Sequence, residues 1–337
     1  MKAVVYSQAG RSDVLRLAER PVPEPGPGEV RVRVHVSGVN PTDWKQRSGS
    51  RDLPYAQQVP NQDGAGVVDA VGPGVGPDRV GQRVWLWEAA WQRADGTAQE
   101  YVVLPERQAV PLPDGASFDL GASLGIPALT AHRCLTLHGD GRLAPGSLAA
   151  RTVLVAGGAG AVGNAAIQLA RWAGATVVTT VSGAEKAALA RAAGADVVVN
   201  YRTGDAEAEV RKAAPDGVDI VVEVAPGANR DLDLAVAGIG ASVAIYATDG
   251  PADLALPVWP LMQRNVSYEF VLVYTVPEAA KRQAVEDVSA AVAAGALVVG
   301  EAAGLPLHRY PLEETAAAHD AVEAGAVGKV LIDVPSR

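Results

Sequence analysis

The sequence predicts an α/β protein with a mostly β first domain and a second domain built on a doubly wound parallel sheet. Its 337 residues suit two domains of about 150 residues each. Residues 1–124 show short strand patterns separated by Gly and Pro, which is typical of a barrel-like antiparallel domain. From Thr152 onward strand and helix patterns alternate, as they do in a parallel sheet with helices on both faces.

The first domain shows its clearest strand at Val30–Val36, where apolar and polar residues alternate as in a half-buried strand. Gly64–Val71 and Gly81–Trp87 are predicted as further strands. Met1–Tyr6 lacks the apolar core of a signal peptide and is predicted as the first strand.

The second domain is organised around Thr152–Gly163, where an apolar strand pattern leads through a glycine turn into a helix pattern. The spacing G-x-G-x-x-G in this context predicts dinucleotide binding; a plain strand-to-helix turn is the alternative. Gly158 would allow a tight turn, Gly160 would let a pyrophosphate approach, and Gly163 would let the helix pack closely on the strand. The helix end adds N–H groups and a positive dipole. The predicted cofactor-binding residues of this turn are Gly158, Gly160, Ala161, Val162 and Gly163.

The remaining elements of the second domain follow the same alternation. The predicted strands are Thr176–Val181, Val197–Val199, Val218–Val222 and Ser242–Tyr246. The predicted helices are Asn164–Trp172, Glu185–Ala193, Asp205–Ala214 and Asn229–Ala237.

After residue 265 the pattern changes, and we expect the chain to return to the first domain. The segments predicted there are strands at Val266–Val273, Leu305–Leu307 and Val330–Val334 and helices at Pro277–Ala294 and Glu313–Ala324. The predicted domains are therefore residues 1–124 with 265–337, and residues 125–264.

Composition argues for a globular enzyme and against several partners. Hydrophobic residues make up 48% of the chain and charged residues 20%. The net charge of −9, without a basic run, argues against nucleic acid and anionic membranes as partners. No apolar stretch reaches the roughly 18 residues that span a bilayer. Cys134 is the only cysteine, so no disulfide can form within the chain, and we expect the cytoplasm.

The cysteine and the histidines do not show the spacing of a catalytic or metal-binding site. Cys134 lies in a helix pattern and is interpreted as a buried structural thiol rather than a nucleophile. The five histidines are interpreted as ordinary surface or helix residues, and no metal is expected. They are His35, His132, His138, His308 and His319.

The chain resembles the zinc-independent quinone oxidoreductases, similar to zeta-crystallin, of the medium-chain dehydrogenase/reductase superfamily. The matching motifs, in chain order, are Gly38–Lys45, Asp63–Val68, Gly81–Val84, Glu100–Tyr101, Leu112–Asp114, Thr130–Ala131, the glycine turn, Tyr310–Glu314 and Gly328–Val330. The resemblance covers nearly the whole chain. It implies a GroES-like catalytic domain, a Rossmann domain, NADPH as cofactor and a homodimer formed through the edge at 265–273.

Two features depart from the family pattern. Pro60-Asn61 stands before Gln62-Asp63, where relatives often carry Pro-Gly. Trp44 and Lys45 occupy the place of a tyrosine found in some quinone reductases, so tyrosine-assisted proton transfer is in doubt.

The resemblance also implies which side chains face the nicotinamide and the acceptor. Asn40 would face both, unless its amide only holds a turn. Thr130 would lie by the nicotinamide, unless it only packs in its helix. Tyr55 could donate its phenol to a carbonyl oxygen or merely cover the cleft. The tryptophans could stack on a quinone or pack in the core; they are Trp85, Trp87 and Trp91.

The residues after the second and third strands of the Rossmann pattern predict NADPH rather than NADH. Thr180–Gly183 carries no acid to accept bonds from a ribose 2′-hydroxyl. The resemblance places Ser182, Lys186 and Tyr201 around the 2′-phosphate, although a solvated lysine and a surface tyrosine are the alternative. Tyr246, at the end of its strand, is also assigned to the cofactor site.

The sequence therefore predicts an NADPH-dependent reductase that transfers hydride to a quinone or to an activated C=C or C=O acceptor without metal. Two alternatives stay open: an enoyl-thioester reductase of the same superfamily, and a protein that binds NADPH without catalysis.

Overall fold

The computed structural model describes residues 1–50, 52–137, 139–251 and 253–335. The chain divides into two compact units, Met1–Ile126 with Leu307–Arg337, and Pro127–Pro306. The fold is the predicted α/β arrangement of a mostly β unit and a parallel-sheet unit. Within the described ranges, no helix has the length and apolar character needed to cross a membrane.

The elements are numbered here in chain order. The strands are β1 Lys2–Val5, β2 Arg16–Glu19, β3 Glu29–Val39, β4 Asp63–Val71, β5 Arg83–Leu86, β6 Tyr101–Pro105, β7 Ala109–Pro111, β8 Thr152–Ala156, β9 Thr176–Val181, β10 Val197–Asn200, β11 Val218–Glu223, β12 Ala237–Ile245, β13 Ser267–Phe270, β14 Leu307–Pro311 and β15 Lys329–Asp333. The helices are α1 Pro41–Arg47, α2 Phe118–Gly121, α3 Gly125–Leu135, α4 Ala161–Trp172, α5 Ala184–Ala192, α6 Ala206–Ala213, α7 Pro226–Val236, α8 Val258–Arg264, α9 Glu278–Ala293 and α10 Thr315–Glu323.

The first unit is built around β3, the longest strand of its sheet. β3 pairs antiparallel with β15, β4 and β6, and the sheet continues through β5 to β7 and through β15 to β14. Val30, Val32 and Val34 are fully buried and alternate with half-buried residues, which confirms the predicted period of two. This alternation places one face of β3 in the core of the unit.

The second unit is a six-stranded parallel sheet in the order β10-β9-β8-β11-β12-β13. β8 pairs with β9 on one side and with β11 on the other, so the strand order reverses there. Ligands of open parallel sheets bind beyond the carboxyl ends of strands at such a reversal. β8 ends directly before the glycine turn.

The chain returns to the first unit later than predicted. β13 pairs with β12 in parallel register, so residues 265–306 belong to the second unit and the return begins at Leu307. The run Val266–Val273 is also predicted to add an edge strand to the parallel sheet, and the pairing of β13 with β12 confirms that part of the prediction. The strand predicted at Leu305–Leu307 instead spans Leu307–Pro311.

Candidate active site

Three strands of the first unit bring Asn40, Asp63 and Lys329 together. β15 and β4 lie on either side of β3. Asn40 directly follows β3, Lys329 opens β15, and Asp63 opens β4 opposite Gly38. The antiparallel register therefore delivers an amide, a carboxylate and an ammonium group to one edge of the sheet.

These side chains form a buried hydrogen-bond network. The Lys329 Nζ donates to Asn40 Oδ1 at 2.7 Å, and Asn40 Nδ2 donates to Asp63 Oδ2 at 2.7 Å. Lys329 Nζ also lies 3.6 Å from Asp63 Oδ2. The Ile126 N–H donates to Asp63 Oδ1 at 2.9 Å. Asn40 is 2% exposed, so its amide serves this network and does not face open solvent.

Asp43 ties the network to the start of α1. The Asn40 N–H donates to Asp43 Oδ2 at 2.7 Å, which satisfies one of the free donors at the helix start. Pro41 suits the first helical position because its ring fixes φ and it has no N–H to satisfy. Burial, with a contribution from the nearby charge of Asp63, raises the pKa of Asp43 to about 8.

The electrostatics of the network follow from burial. Burial raises the pKa of Asp63, although Lys329 and the bond from Asn40 oppose that change. Burial likewise lowers the pKa of Lys329, and the two carboxylates oppose it. A buried ammonium stays charged only beside such anions. The network therefore holds two carboxyl groups around one cation, away from bulk water.

Gly125 makes room for the Asp63 carboxylate. A Cβ at position 125 would lie 2.1 Å from Asp63 Oδ1 and 2.7 Å from its carboxyl carbon. No side chain fits there without moving the network. The start of α3 can therefore approach Asp63 closely enough for the bond from the Ile126 N–H.

Tyr55 and the tryptophans of the first unit occupy different environments. The Tyr55 side chain is exposed, and its hydroxyl donates to the Gln92 carbonyl oxygen at 2.5 Å. Trp85 and Trp87 are each 1% exposed, as expected for core packing, and Trp91 is half-buried. The Tyr55 phenol can donate to another oxygen only by leaving Gln92.

The glycine turn of the second unit includes Gly157 as well as the predicted glycines. Gly157 has φ of +70°, a left-handed conformation that glycine adopts freely. Gly158 is needed for another reason, because its Cβ would lie 2.2 Å from Thr179 Oγ1 on the neighbouring strand β9. The Cβ of Gly163 would lie 2.4 Å from the Gly157 oxygen, so the first turn of α4 packs against the glycine turn too closely for a side chain at 163.

The amino end of α4 is open. The Asn164 N–H is bonded to the Gly160 oxygen, so the preceding N–H groups at Ala161, Val162 and Gly163 belong to the unpaired first turn. Gly160 is exposed, and the nearest atom to an added Cβ is the Gly157 oxygen at 3.5 Å. The protein's own packing does not require glycine at 160. The absence of a side chain there would instead let a phosphate approach the backbone.

Ser182, Lys186 and Tyr201 lie at the carboxyl ends of two adjacent strands. Asn200 of β10 pairs with Val181 of β9, so Tyr201 and Ser182 follow side by side. Lys186 lies in the first turn of α5. Ser182 and Lys186 are half-buried and Tyr201 is 50% exposed. Strand pairing therefore brings a hydroxyl and a phenol to the same sheet edge, beside a helix start that carries an ammonium.

The other assigned residues of the second unit are less exposed. Thr130 is buried in α3. Tyr246 directly follows β12, its N–H donates to the Glu223 oxygen at 3.0 Å, and burial raises the pKa of its phenol. Cys134 is fully buried, as predicted, and burial raises the pKa of its thiol. A thiol in this environment is inert.

The described histidines make ordinary structural contacts. His132 Nε2 lies 2.9 Å from Asp287 Oδ2, His319 Nε2 lies 3.0 Å from Asn61 Oδ1, and His308 Nε2 lies 2.8 Å from the Val327 oxygen. The ring of His35 stacks on Phe118. His138 lies outside the described residues. No group of three His, Cys, Asp or Glu side chains able to hold a metal occurs in the described part of the chain.

Asp43, Asp63 and Lys329 lie within the motifs that carry the family resemblance, but no role was predicted for them from the sequence. Asn40 and Lys329 are 289 positions apart, and only the pairing of β3 with β15 joins them. The available signal was a charged residue directly before the apolar residues Val330–Ile332. A lysine at the start of a buried strand needs an anionic partner, and that requirement could have prompted a search for one.

Two protein-family profiles match the chain. The alcohol dehydrogenase GroES-like domain matches residues 26–114, and the zinc-binding dehydrogenase domain matches residues 161–293. The first match lies in the β unit and the second in the parallel-sheet unit.

Whole-chain comparisons give the same assignment. The chain is 30% identical to a quinone oxidoreductase of Sus scrofa, covering 98% of this chain and 97% of the relative. A crystal structure of an NAD-dependent alcohol dehydrogenase has a TM-score of 0.87 and 32% identity, covering 99% of this chain and all of that chain. A mycobacterial structure complexed with NADPH has a TM-score of 0.80 and 31% identity, covering 99% of both chains.

Proposed function

Because the chain belongs to the quinone oxidoreductase family of the medium-chain dehydrogenase/reductase superfamily, we propose that it is an NADPH-dependent reductase of quinones or of activated enones and carbonyls. The observation that carries this proposal is the open start of α4 behind an exposed Gly160. Such a turn supplies N–H donors and a positive dipole to a pyrophosphate. Gly158, Gly160, Ala161, Val162 and Gly163 would line it.

The preference for NADPH rests on Ser182, Lys186 and Tyr201. A phosphomonoester carries close to two negative charges and needs hydrogen-bond donors. The three side chains supply a hydroxyl, an ammonium and a phenol near adjacent strand ends. Thr180–Gly183 has no carboxylate to repel a phosphate or to bind a free ribose hydroxyl. Hydrogen-bond donors without a neighbouring carboxylate favour the 2′-phosphate of NADPH over the free 2′-hydroxyl of NADH.

The bound cofactor would supply the reducing equivalent. A quinone would gain a hydride from the cofactor and one proton from water, which gives a hydroquinone and the oxidised cofactor. The protein's own task is to align the acceptor and to supply donors where negative charge develops on oxygen. We assign Asn40 and Tyr55 to the acceptor. Asn40, Thr130 and Tyr246 are assigned to the cofactor.

We propose that no metal takes part, although one matching profile is named for zinc-binding dehydrogenases. The turn Gly38–Asp43 offers neither thiol nor imidazole. The ammonium of Lys329, bonded to Asn40, would repel a divalent cation at this edge of the sheet. A quinone accepts hydride readily, so a Lewis acid is not required.

We also propose a homodimer formed through β13. This strand is the edge of the parallel sheet, and Phe270 at its end is 75% exposed. An edge strand favours pairing with a second copy of the chain. In a twofold dimer the β13 strands of the two copies would pair with each other. A groove of about 330 Å³ runs along β13 between Tyr268 and Pro277 and could receive partner side chains.

An acceptor panel tests the proposed activity. Purified protein would be mixed with NADPH or NADH and with 1,4-naphthoquinone, an α,β-unsaturated ketone or an enoyl thioester, and absorbance would be followed at the nicotinamide band. We expect acceptor-dependent oxidation of NADPH, fastest with the quinone. NADPH oxidation with the enoyl thioester alone would identify the protein as an enoyl-thioester reductase. Tight NADPH binding without oxidation by any acceptor would show a non-catalytic binder.

A further inference from the structure

We propose that Lys329 and Asp63 are positioning residues that fix the amide of Asn40 as a hydrogen-bond donor toward the carbonyl oxygen of the acceptor. This inference deepens the proposed function and rests on it. Lys329, Asp63 and Asn40 are all buried, with 1%, 0% and 2% of their surface exposed. Lys329 and Asp63 are both bonded to the same amide group, from opposite strands.

The chemistry of the partners allows only one orientation of the Asn40 amide. An ammonium can only donate, so the group that faces Lys329 Nζ at 2.7 Å must be the amide oxygen. An ionised carboxylate can only accept, so the group that faces Asp63 Oδ2 at 2.7 Å must be the amide NH₂. The flipped amide would place NH₂ against the ammonium and oxygen against the carboxylate. Both contacts would repel.

The bonds leave the amide with one donor to spare. The Asn40 backbone N–H is bonded to Asp43, and the amide oxygen and one amide hydrogen are bonded to Lys329 and Asp63. The second hydrogen on Nδ2 is the remaining donor of the residue. A ligand that meets Asn40 therefore meets an N–H and must present an oxygen, as quinones and enones do.

Burial strengthens this donor. The positive charge on the oxygen side of the amide polarises the group and makes its N–H a better donor, as in other hydrogen-bond chains at low dielectric. Negative charge on the acceptor oxygen grows as hydride arrives. A donor fixed before the reaction stabilises that charge more than it stabilises the bound acceptor. Loss of the positioning residues should therefore act on kcat more than on KM.

The test compares variants of Lys329 in the full-length protein. Lys329→Met removes the ammonium and keeps the length of the side chain. The double variant Asp63→Asn/Lys329→Met removes the ammonium together with the carboxylate bonded to the Asn40 amide, so Asp63 is not left buried without its cation. Lys329→Arg restores a charged donor. Lys281→Met is the matched control, because Lys281 is also a buried lysine, bonded to the Tyr274 oxygen in the second unit.

The readouts are steady-state kinetics with 1,4-naphthoquinone, NADPH affinity by fluorescence, and circular dichroism to confirm the fold. We expect kcat to fall about tenfold in Lys329→Met and in the double variant. In metal sites, mutation of a residue that hydrogen-bonds to a metal ligand lowers affinity or activity by about 10- to 100-fold, and we take the lower end of that range. The NADPH Kd should stay within about twofold, Lys329→Arg should recover part of kcat, and Lys281→Met should keep the wild-type kcat.

Two results would overturn the inference in distinguishable ways. An active wild type whose folded Lys329→Met and double variants keep kcat within about twofold would show that Lys329 only stabilises the fold. If none of the tested acceptors supports NADPH oxidation by the wild type, the proposed function is wrong. This inference would then be wrong as well.

Discussion

His319 and Asn61 share a buried hydrogen bond, with 3.0 Å between His319 Nε2 and Asn61 Oδ1. Asn61 Nδ2 donates to Ser37 Oγ, which lies 2.7 Å from Thr97 Oγ1. The Thr97 hydroxyl donates to the Asp63 carbonyl oxygen at 2.5 Å. Since that oxygen can only accept, each group donates in turn along the chain, and His319 carries its hydrogen on Nε2. Burial, with the nearby charge of Arg47, lowers the pKa of His319 to about 3 and keeps the ring neutral.

This series of hydrogen bonds explains why an asparagine suits position 61. Asn61 has φ of +78°, a conformation that glycine adopts freely and asparagine tolerates. Asn61→Gly should therefore relieve backbone strain yet lower stability by about 1–3 kcal/mol, because His319 and Ser37 lose a buried partner. Urea denaturation would measure the change.

Asn265→Gly is the matched control for that variant. Asn265 has φ of +51° at the end of α8 and is exposed. Its replacement should change stability by no more than about 0.5 kcal/mol. Equal midpoints for Asn61→Gly and the wild type would contradict the prediction, because the lost hydrogen bonds would then cost no more than the relieved backbone strain gains.

Asp43 should give stability an unusual dependence on pH. Its pKa is raised by burial to about 8, so between pH 4 and 8 the folded protein holds a proton that the unfolded chain has released. The contribution of this group is therefore present at low pH and is lost as pH rises from about 4 to about 8. The Tm of the wild type, measured relative to that of Asp43→Asn, should fall between pH 5 and pH 8.

Glu313→Gln serves as the control for the pH series. The bond from Lys2 lowers the pKa of Glu313, so its contribution to stability is lost only as pH falls below the usual range of a glutamate. The Tm difference from the wild type should be constant between pH 5 and pH 8. A constant difference for Asp43→Asn as well would mean that Asp43 is ionised throughout this range in the folded protein.

Local patterns were sufficient for the strands but not for the contacts between them. The alternation in Val30–Val36 and the apolar run Thr152–Ala156 each predicted a strand that the structure contains. The partners of Asn40 could not be predicted, because Lys329 reaches it only through the register of β15 on β3.

The same limit applies to two other features. His319 and Asn61 are 258 positions apart, and pairing of their side chains depends on how α10 packs. In the glycine turn, four glycines stand within seven residues, and spacing alone could not decide whether Gly157 or Gly158 takes the left-handed conformation. The role of Asn40 is proposed from the resemblance, whereas its burial follows from tertiary packing.

Removal of metal ions should leave the enzyme unchanged. Dialysis against a strong chelator is expected to preserve both quinone-dependent NADPH oxidation and Tm, because Asn40 and its neighbours Lys329 and Asp63 form no cation site. Elemental analysis before and after dialysis supplies the control. One equivalent of zinc in active protein, lost together with turnover, would contradict this account.

A charge at the edge strand should prevent dimerisation. Phe270→Asp places a carboxylate on an exposed position of β13, where a second copy would bury it. Light scattering at micromolar concentration should give a dimer mass for the wild type and a monomer mass for this variant. Val80→Asp, at an exposed apolar residue of the first unit, should remain dimeric. A monomeric wild type would reject the proposed assembly.

The central claim is tested most directly by the ratio of kcat/KM for NADPH to that for NADH, with one quinone as acceptor. We expect the wild type to favour NADPH. We expect Lys186→Ala to lower the ratio about tenfold, because a charge-assisted bond to the 2′-phosphate contributes roughly 1.5 kcal/mol at a solvent-accessible site. The kcat/KM for NADH should hardly change in this variant, since NADH has no phosphate to lose. Equal kcat/KM for the two cofactors in the wild type would contradict the account.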